Sequence, residues 1–129
     1  MKTNASPATE VLFQHRSDVL ALKGEIDLHV SPAITESLTS MTRKEPERIV
    51  IDLSGATYID SSGLAALMIA MREVEAYGGT FFLAGLDETM LSILQSSRLD
   101  QTFRIFPDVD AALAASGKSG PAARRVNAV

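Results

Sequence analysis

Arg48-Ile-Val-Ile-Asp-Leu53 is the stretch that decides the fold, because it is the strongest strand pattern in the 129-residue sequence. Its apolar residues run almost without interruption, which is typical of a central strand covered on both faces. A loop is predicted over 54–62, and apolar residues then recur at helical spacing over 63–77. Gly78-Gly79 ends this helix, and a second apolar strand is predicted over 80–84. Two strands joined by a long helix are expected to be parallel, with a right-handed crossover.

Further elements are predicted on both sides of this unit. A strand pattern covers 18–24, and a weak extended segment covers 11–15. Ser31 is predicted to be an N-cap, with Pro32 at the first helical position, where proline is preferred. The expected elements are a helix from there through Arg43, a helix capped by Asp87 and ending at Gln95, an extended segment over 103–106, and a last helix from Pro107-Asp108 through Ala115. The order of strands and helices predicts an α/β domain.

The length suits one domain with a single core. Residues 1–9 are polar and are predicted to be a flexible N-terminus. The domain itself is predicted over 10–116. Residues 117–129 are rich in Gly, Pro, Ala and Ser, and this composition predicts a disordered tail.

Composition argues against several classes of function. With 12 Lys and Arg against 16 Asp and Glu, the net charge is −4, whereas nucleic-acid binders usually carry a basic stripe. No apolar run approaches the roughly 20 residues that a membrane helix needs, so direct membrane insertion is not expected. There is no cysteine, and the first ten residues lack the apolar core of a signal peptide. The protein is therefore predicted to be cytoplasmic.

Enzymatic chemistry finds little support in the sequence, and neither a metal nor a cofactor is expected. His15 and His29 are the only histidines, and they do not lie at a metal-ligand spacing. Paired carboxylates could be drawn from Glu25, Asp27, Asp52 and Asp60, but no cofactor motif or general acid accompanies them. The alternative outside binding proteins is an enzyme with a small-molecule substrate on an α/β scaffold.

Asp60-Ser61-Ser62 stands directly before the helix predicted over 63–77. The first amides of a helix lack partners within the helix, and the positive end of its dipole lies there. Taken alone, these residues indicate an ordinary N-cap, in which Asp or Ser accepts a bond from an amide of the first turn.

The segment and its surroundings resemble the STAS-domain anti-sigma factor antagonists. The elements that carry the resemblance are Leu22-Lys-Gly-Glu-Ile-Asp27, the strand Ile49–Leu53, Ile59-Asp-Ser-Ser-Gly-Leu64, Gly78-Gly79 and Phe103-Arg-Ile-Phe106. They occur in the family's order across about 10–115, nearly the whole domain. The resemblance implies a STAS-like mixed β-sheet of four to five strands, with helices packed mainly on one side.

The same resemblance implies a switch in a partner-switching pathway. Ser61 would accept a phosphate, Asp60 would help to position the site, and Asp27 would lie at the partner-binding edge. The unphosphorylated form would bind an anti-sigma factor that is also a serine kinase, phosphorylation would release it, and a serine phosphatase would reset Ser61. The alternative within the family is a STAS regulatory subunit, without a switch, in a transporter or lipid-trafficking complex.

Helical periodicity adds a predicted docking face on the helix over 63–77. Its outer side, opposite the apolar stripe, is expected to carry Ala65, Ala66, Ile69, Glu73 and Ala76. Because three of these residues are alanines, a partner could approach this side closely. Ser62 and Gly63 complete the predicted partner-binding set. A phosphate on Ser61 would add about 1.5 to 2 negative charges at the end of this face. Free first-turn amides are expected to make that charge tolerable to the domain itself.

One position departs from the family's pattern. Where members often have Ser-Gly-Leu, this chain has Ser97-Arg98-Leu99. Glycine there would allow a left-handed helix C-cap, so Arg98 predicts a different or slightly strained cap.

Overall fold

The structure is a computed structural model, and it describes residues 16–115 together with the backbone of 123–127. The elements, in chain order, are β1 (Ser17–Ile26), α1 (Ser31–Arg43), β2 (Arg48–Ile59), α2 (Ser61–Ala76), β3 (Thr80–Ala84), α3 (Glu88–Ser96), a 3₁₀ turn (Leu99–Gln101), β4 (Arg104–Phe106), α4 (Val109–Ala114) and β5 (Ala123–Asn127).

The strands form one sheet in the order β4-β3-β2-β1-β5. The predicted parallel pair is confirmed, with Ile49 of β2 opposite Phe81 of β3. All four pairings among the described strands are parallel. The antiparallel pair that the predicted mixed sheet requires is therefore not among the described strands. The extended segment predicted over 11–15 lies outside the described residues. The α/β, STAS-like fold class is confirmed.

The helices lie mainly on one side of the sheet, as predicted. The larger core cluster combines Leu20, Ile51 and Leu83 of the strands with residues of α1, α2 and α3. On the opposite face, α4 packs against a smaller cluster that includes Val50 and Phe82. The strands between these layers are covered on both faces, which explains the continuous apolar run of β2.

Helix ends follow local side-chain chemistry. Asp87 and Asp108 have extended backbones and accept bonds from the amides of Met90 (2.9 Å) and Ala111 (2.8 Å), which confirms the two predicted starts. The predicted N-cap at Ser31 is wrong, because Ser31 is already the first residue of α1 and the N-cap is Val30, whose side chain cannot accept a hydrogen bond.

The buried Arg48 satisfies the C-terminal end of α4. Its guanidinium donates to the carbonyl oxygens of Ala112 (3.2 Å), Leu113 (2.6 Å) and Ala115 (3.0 Å). It also lies 5.1 Å from the ring centre of Phe82. A cation at this end of a helix pairs with carbonyls that have no partner within the helix. A residue at the start of β2 therefore fixes the only helix that the described chain places on this face.

Strand β2 is longer than predicted. It continues through Ile59 instead of giving way to a loop at Ser54, because its second half pairs with β1 across two register irregularities. Strand β3 ends opposite Asp52, so β1 and β2 continue as a two-stranded extension that closes with Ile26 opposite Ile59. This extension carries the candidate site.

Part of the chain beyond residue 116 forms a strand. Within the segment predicted to be a disordered tail, Ala123–Asn127 pairs with Ser17–Ala21 of β1 as β5. The N-terminal segment 1–9 lies outside the described residues. None of the helices in the described residues is both long enough and apolar enough to cross a membrane.

Candidate functional site

The extension of β1 and β2 delivers two acidic residues to the same edge of the sheet. Because Ile26 and Ile59 are paired, Asp27 and Asp60 follow directly from neighbouring strand ends. The amide of Asp60 donates to the carbonyl oxygen of Ile26 at 3.0 Å, which ties the start of α2 to the end of β1.

Asp60 is the N-cap of α2. Its backbone is extended, and its carboxylate accepts bonds from the amide of Gly63 (3.1 Å) and the hydroxyl of Ser62 (2.6 Å). The Ser62 hydroxyl and then the Gly63 amide hold the pKa of Asp60 below its usual value, and the amides of Ser62 and Leu28 add to this effect. The carboxylate is therefore a shared acceptor for two donors in the first turn of α2.

The two serines of the site differ in their surroundings. Ser61 is the first residue of α2 and is exposed, and its side chain has no hydrogen bond to the described residues. Ser62 is half-buried and donates to Asp60. The residue predicted to be modified is thus the more accessible one.

Gly63 is buried, so its predicted role as a partner contact needs correction. A Cβ there would lie only 2.7 Å from side-chain carbons of Ile26 and of Ile59. Glycine is required at this position because α2 approaches the ends of both strands closely. Its function in the site is to let the helix start against the sheet.

The turn after β1 adds a residue that the sequence analysis missed. Asp27 fixes this turn: its carboxylate accepts from the amide of His29 (3.0 Å), and its carbonyl oxygen accepts from those of Val30 and Ser31. Leu28, held between them, is 71% exposed. An apolar residue placed between two polar residues, Asp27 and His29, in a tight turn is the signal that could have identified it.

The outer face of α2 agrees with the prediction except at one residue. Ala65 is exposed and Ile69 is 52% exposed, but Ala66 is only 5% exposed. Ala66 follows Gly63 by three residues and precedes Ala70 by four, and all three are buried. These small residues form an inward stripe at helical spacing, so the docking face is narrower than predicted.

A groove of about 420 Å³ runs along the exposed side of α2 towards the segment after α3. Ser61 lies in its lining. The complete lining is Ser61, Leu64, Ala65, Met68, Ile69, Arg72, Ser97 and Leu99. The Ser61 side chain therefore belongs to the same surface as the exposed apolar residues of α2.

A second cavity, of about 360 Å³, lies beside the middle of β2 and just beyond the ends of β3 and β4, and its lining includes Asp52, Asp108 and Asp110. Asp52 accepts from the amide and hydroxyl of Ser54, and Asp108 caps α4. Among the described residues no group of three or more His, Asp or Glu side chains is placed to hold a metal ion.

Comparisons with known proteins agree with this geometry. The family model of the STAS domain matches residues 10–112. The anti-sigma-F factor antagonist RsfB of Mycobacterium tuberculosis (strain H37Rv) is 30% identical over 95 residues, which cover 74% of this chain and 77% of that protein. An anti-sigma F factor antagonist of Paenibacillus polymyxa is 27% identical over 104 residues, covering 78% and 86%.

Solved structures are similar as well. An anti-sigma factor antagonist from Mycobacterium paratuberculosis superposes with a TM-score of 0.68 at 28% identity, covering 75% of this chain and 84% of that one. The phosphorylated form of the Bacillus cell fate determinant SpoIIAA gives 0.58 at 25%, covering 73% and 86%. With the ordered motifs, the parallel sheet and the family match over most of the domain, the chain belongs to the STAS-domain family of anti-sigma factor antagonists.

Proposed function

We propose that this protein is an anti-sigma factor antagonist whose binding is switched by phosphorylation of Ser61. The unphosphorylated form binds and sequesters an anti-sigma factor that is also a serine kinase, and phosphorylation releases it. The observation that carries the proposal is the exposed Ser61 hydroxyl at the start of α2, in the lining of an apolar groove. A serine phosphatase restores the binding form, and the protein supplies no catalytic residue of its own.

The proposed partner surface consists of Leu28, Ser61, Ala65 and Ile69. Leu28 and Ile69 are two of the three large hydrophobic side chains that are exposed in the described chain. Ile69 lines the groove, and Leu28 belongs to the turn after β1, outside the groove lining. Exposed apolar residues are typical of protein-binding surfaces when they form a patch. Asp27 and Asp60 hold the turn and the helix start that present this surface.

Release follows from charge. Of the first-turn amides expected to receive the phosphate, that of Gly63 already donates to Asp60. The stretches 24–42 and 49–71, which contain the turn and the start of α2, include no lysine or arginine. A phosphate of about −1.5 to −2 at Ser61 would meet a carboxylate instead. Unneutralised charge and its desolvation then oppose close packing of a partner.

Mass spectrometry of the protein isolated from its source cells, with and without phosphatase treatment, tests this proposal. One phosphatase-sensitive phosphate on Ser61 is expected. Ser61→Ala should retain the kinase partner, whereas Ser61→Asp should bind it more weakly than the wild type. Equal affinity of the wild type and Ser61→Asp would contradict the switch.

If Ser61 carries no phosphate under several growth conditions, the result favours the alternative within the family. In that case the chain would act as a STAS regulatory subunit without a switch, and a transporter or lipid-trafficking complex should co-purify in place of a kinase.

A further inference from the structure

Two adjacent serines stand at the start of α2, and the proposed function uses only one of them. Ser61 and Ser62 have the same hydroxyl, and they are neighbours on the same first helical turn. Their difference therefore lies in their contacts. Ser62 is half-buried and its oxygen lies 2.6 Å from a carboxylate oxygen of Asp60, while Ser61 is exposed and its side chain bonds to none of the described residues.

We propose that Ser62 is a positioning residue, which holds the Asp60 carboxylate in the helix cap and thereby leaves Ser61 as the single acceptor hydroxyl. The proposal has two halves. The acceptor half, that Ser61 alone accepts the phosphate, rests on the proposed function. The hydrogen-bond half, that Ser62 holds the Asp60 carboxylate, does not.

The cap geometry gives the first argument. The Asp60 carboxylate oxygen that accepts from Ser62 is the one that accepts from the amide of Gly63 at 3.1 Å. A hydroxyl and an amide that converge on one oxygen restrict the rotation of the carboxylate. The Ser62 side chain thus fixes the residue whose amide ties the start of α2 to the carbonyl oxygen of Ile26 at the end of β1.

The chemistry of phosphoryl transfer gives the second argument. In this step the serine oxygen forms a bond to the γ-phosphorus of a nucleoside triphosphate held by the kinase. The bond from that phosphorus to the bridging oxygen breaks, the nucleoside diphosphate leaves, and the hydroxyl proton passes to a base on the kinase. The attacking oxygen needs an open approach in line with the leaving group. Ser61 offers this approach, whereas Ser62 would first have to break its bond to Asp60 and leave its half-buried position.

Asp60 is also unsuited to activate Ser62. Its bonds to Ser62 and Gly63 hold its pKa below the usual value, and a carboxylate with a low pKa is a weak general base. The short contact between Ser62 and Asp60 therefore serves placement and does not create a nucleophile.

Carbon-13 NMR titration of the Asp60 carboxyl in the full chain tests the hydrogen-bond half without any kinase. Ser62→Ala should raise the pKa of Asp60, because it removes the largest contribution that lowers it. Ser61→Ala is the matched control and should leave this pKa at the wild-type value. Ser62→Thr keeps a hydroxyl and should restore the low pKa. An unchanged pKa in Ser62→Ala would overturn the proposal.

Phosphorylation-site mapping in the source cells tests the acceptor half. Ser62→Ala should still carry phosphate on Ser61, and Ser61→Ala should carry none on Ser62. Phosphate on Ser62 of Ser61→Ala, at the level found on Ser61 of the wild type, would overturn it. Absence of phosphate on wild-type Ser61 would refute the proposed function and the acceptor half together, and the titration would still decide the hydrogen-bond half.

Discussion

Arg98 shows how a single residue can carry backbone strain. It follows α3 with φ of 60°, in the left-handed region where glycine is favoured, and so confirms the strained cap expected from the sequence. Arg98→Gly should raise the free energy of unfolding by about 0.5–1 kcal/mol, since a side chain is disfavoured in this conformation. The midpoint of urea denaturation measures the change.

The control for this substitution is Gln95→Gly, at an exposed position inside α3. Glycine there should lower stability by about 1 kcal/mol, because a helical residue gains nothing from access to the left-handed region. If both substitutions lower the free energy of unfolding, the left-handed backbone of Arg98 does not cost the protein stability, and the prediction is wrong.

At the scale of the element, α4 depends on Arg48. Arg48→Met should lower the free energy of unfolding by roughly 3 kcal/mol, because three carbonyl oxygens lose a charged donor. Hydrogen exchange should accelerate in the amides of α4 more than in those of α2.

Arg104→Met is the control for this substitution. Arg104 is exposed, and its guanidinium lies 4.7 Å from the ring centre of the same Phe82. Its replacement should change the free energy of unfolding by less than about 1 kcal/mol. Equal losses in the two variants would contradict the capping role.

Elements also show what the sequence could and could not predict. The first half of β2, its parallel pairing with β3 and the Asp87 and Asp108 caps follow from local patterns of apolar and capping residues. Local patterns do not predict the second half of β2, because its strand conformation depends on pairing with a distant segment, β1, across register irregularities. Ala66 was misplaced because alanine is compatible with either face of a helix, and Gly63 because its close neighbours come from other elements.

Across the whole molecule, the proposed partner surface joins the turn after β1 to α2. Leu28→Ala should weaken binding of the kinase partner about tenfold, which corresponds to about 1.4 kcal/mol. Because Leu28 is exposed, the free energy of unfolding should change by less than about 0.5 kcal/mol. Isothermal titration calorimetry measures the affinity. Lys44→Ala, exposed after α1 near the other ends of the strands, is the control and should bind as the wild type does. If Leu28→Ala binds the partner with wild-type affinity, the turn after β1 is not part of the proposed partner surface.

The cap of α2 has an evolutionary consequence. Asp60 caps the helix, and the Ser61 side chain makes no hydrogen bond to the described residues. If Ser61 has the proposed role, only that role constrains it. A lineage that loses the kinase is free to replace this serine by one substitution while the domain remains folded, and a switching protein can become a constitutive binder in a single step.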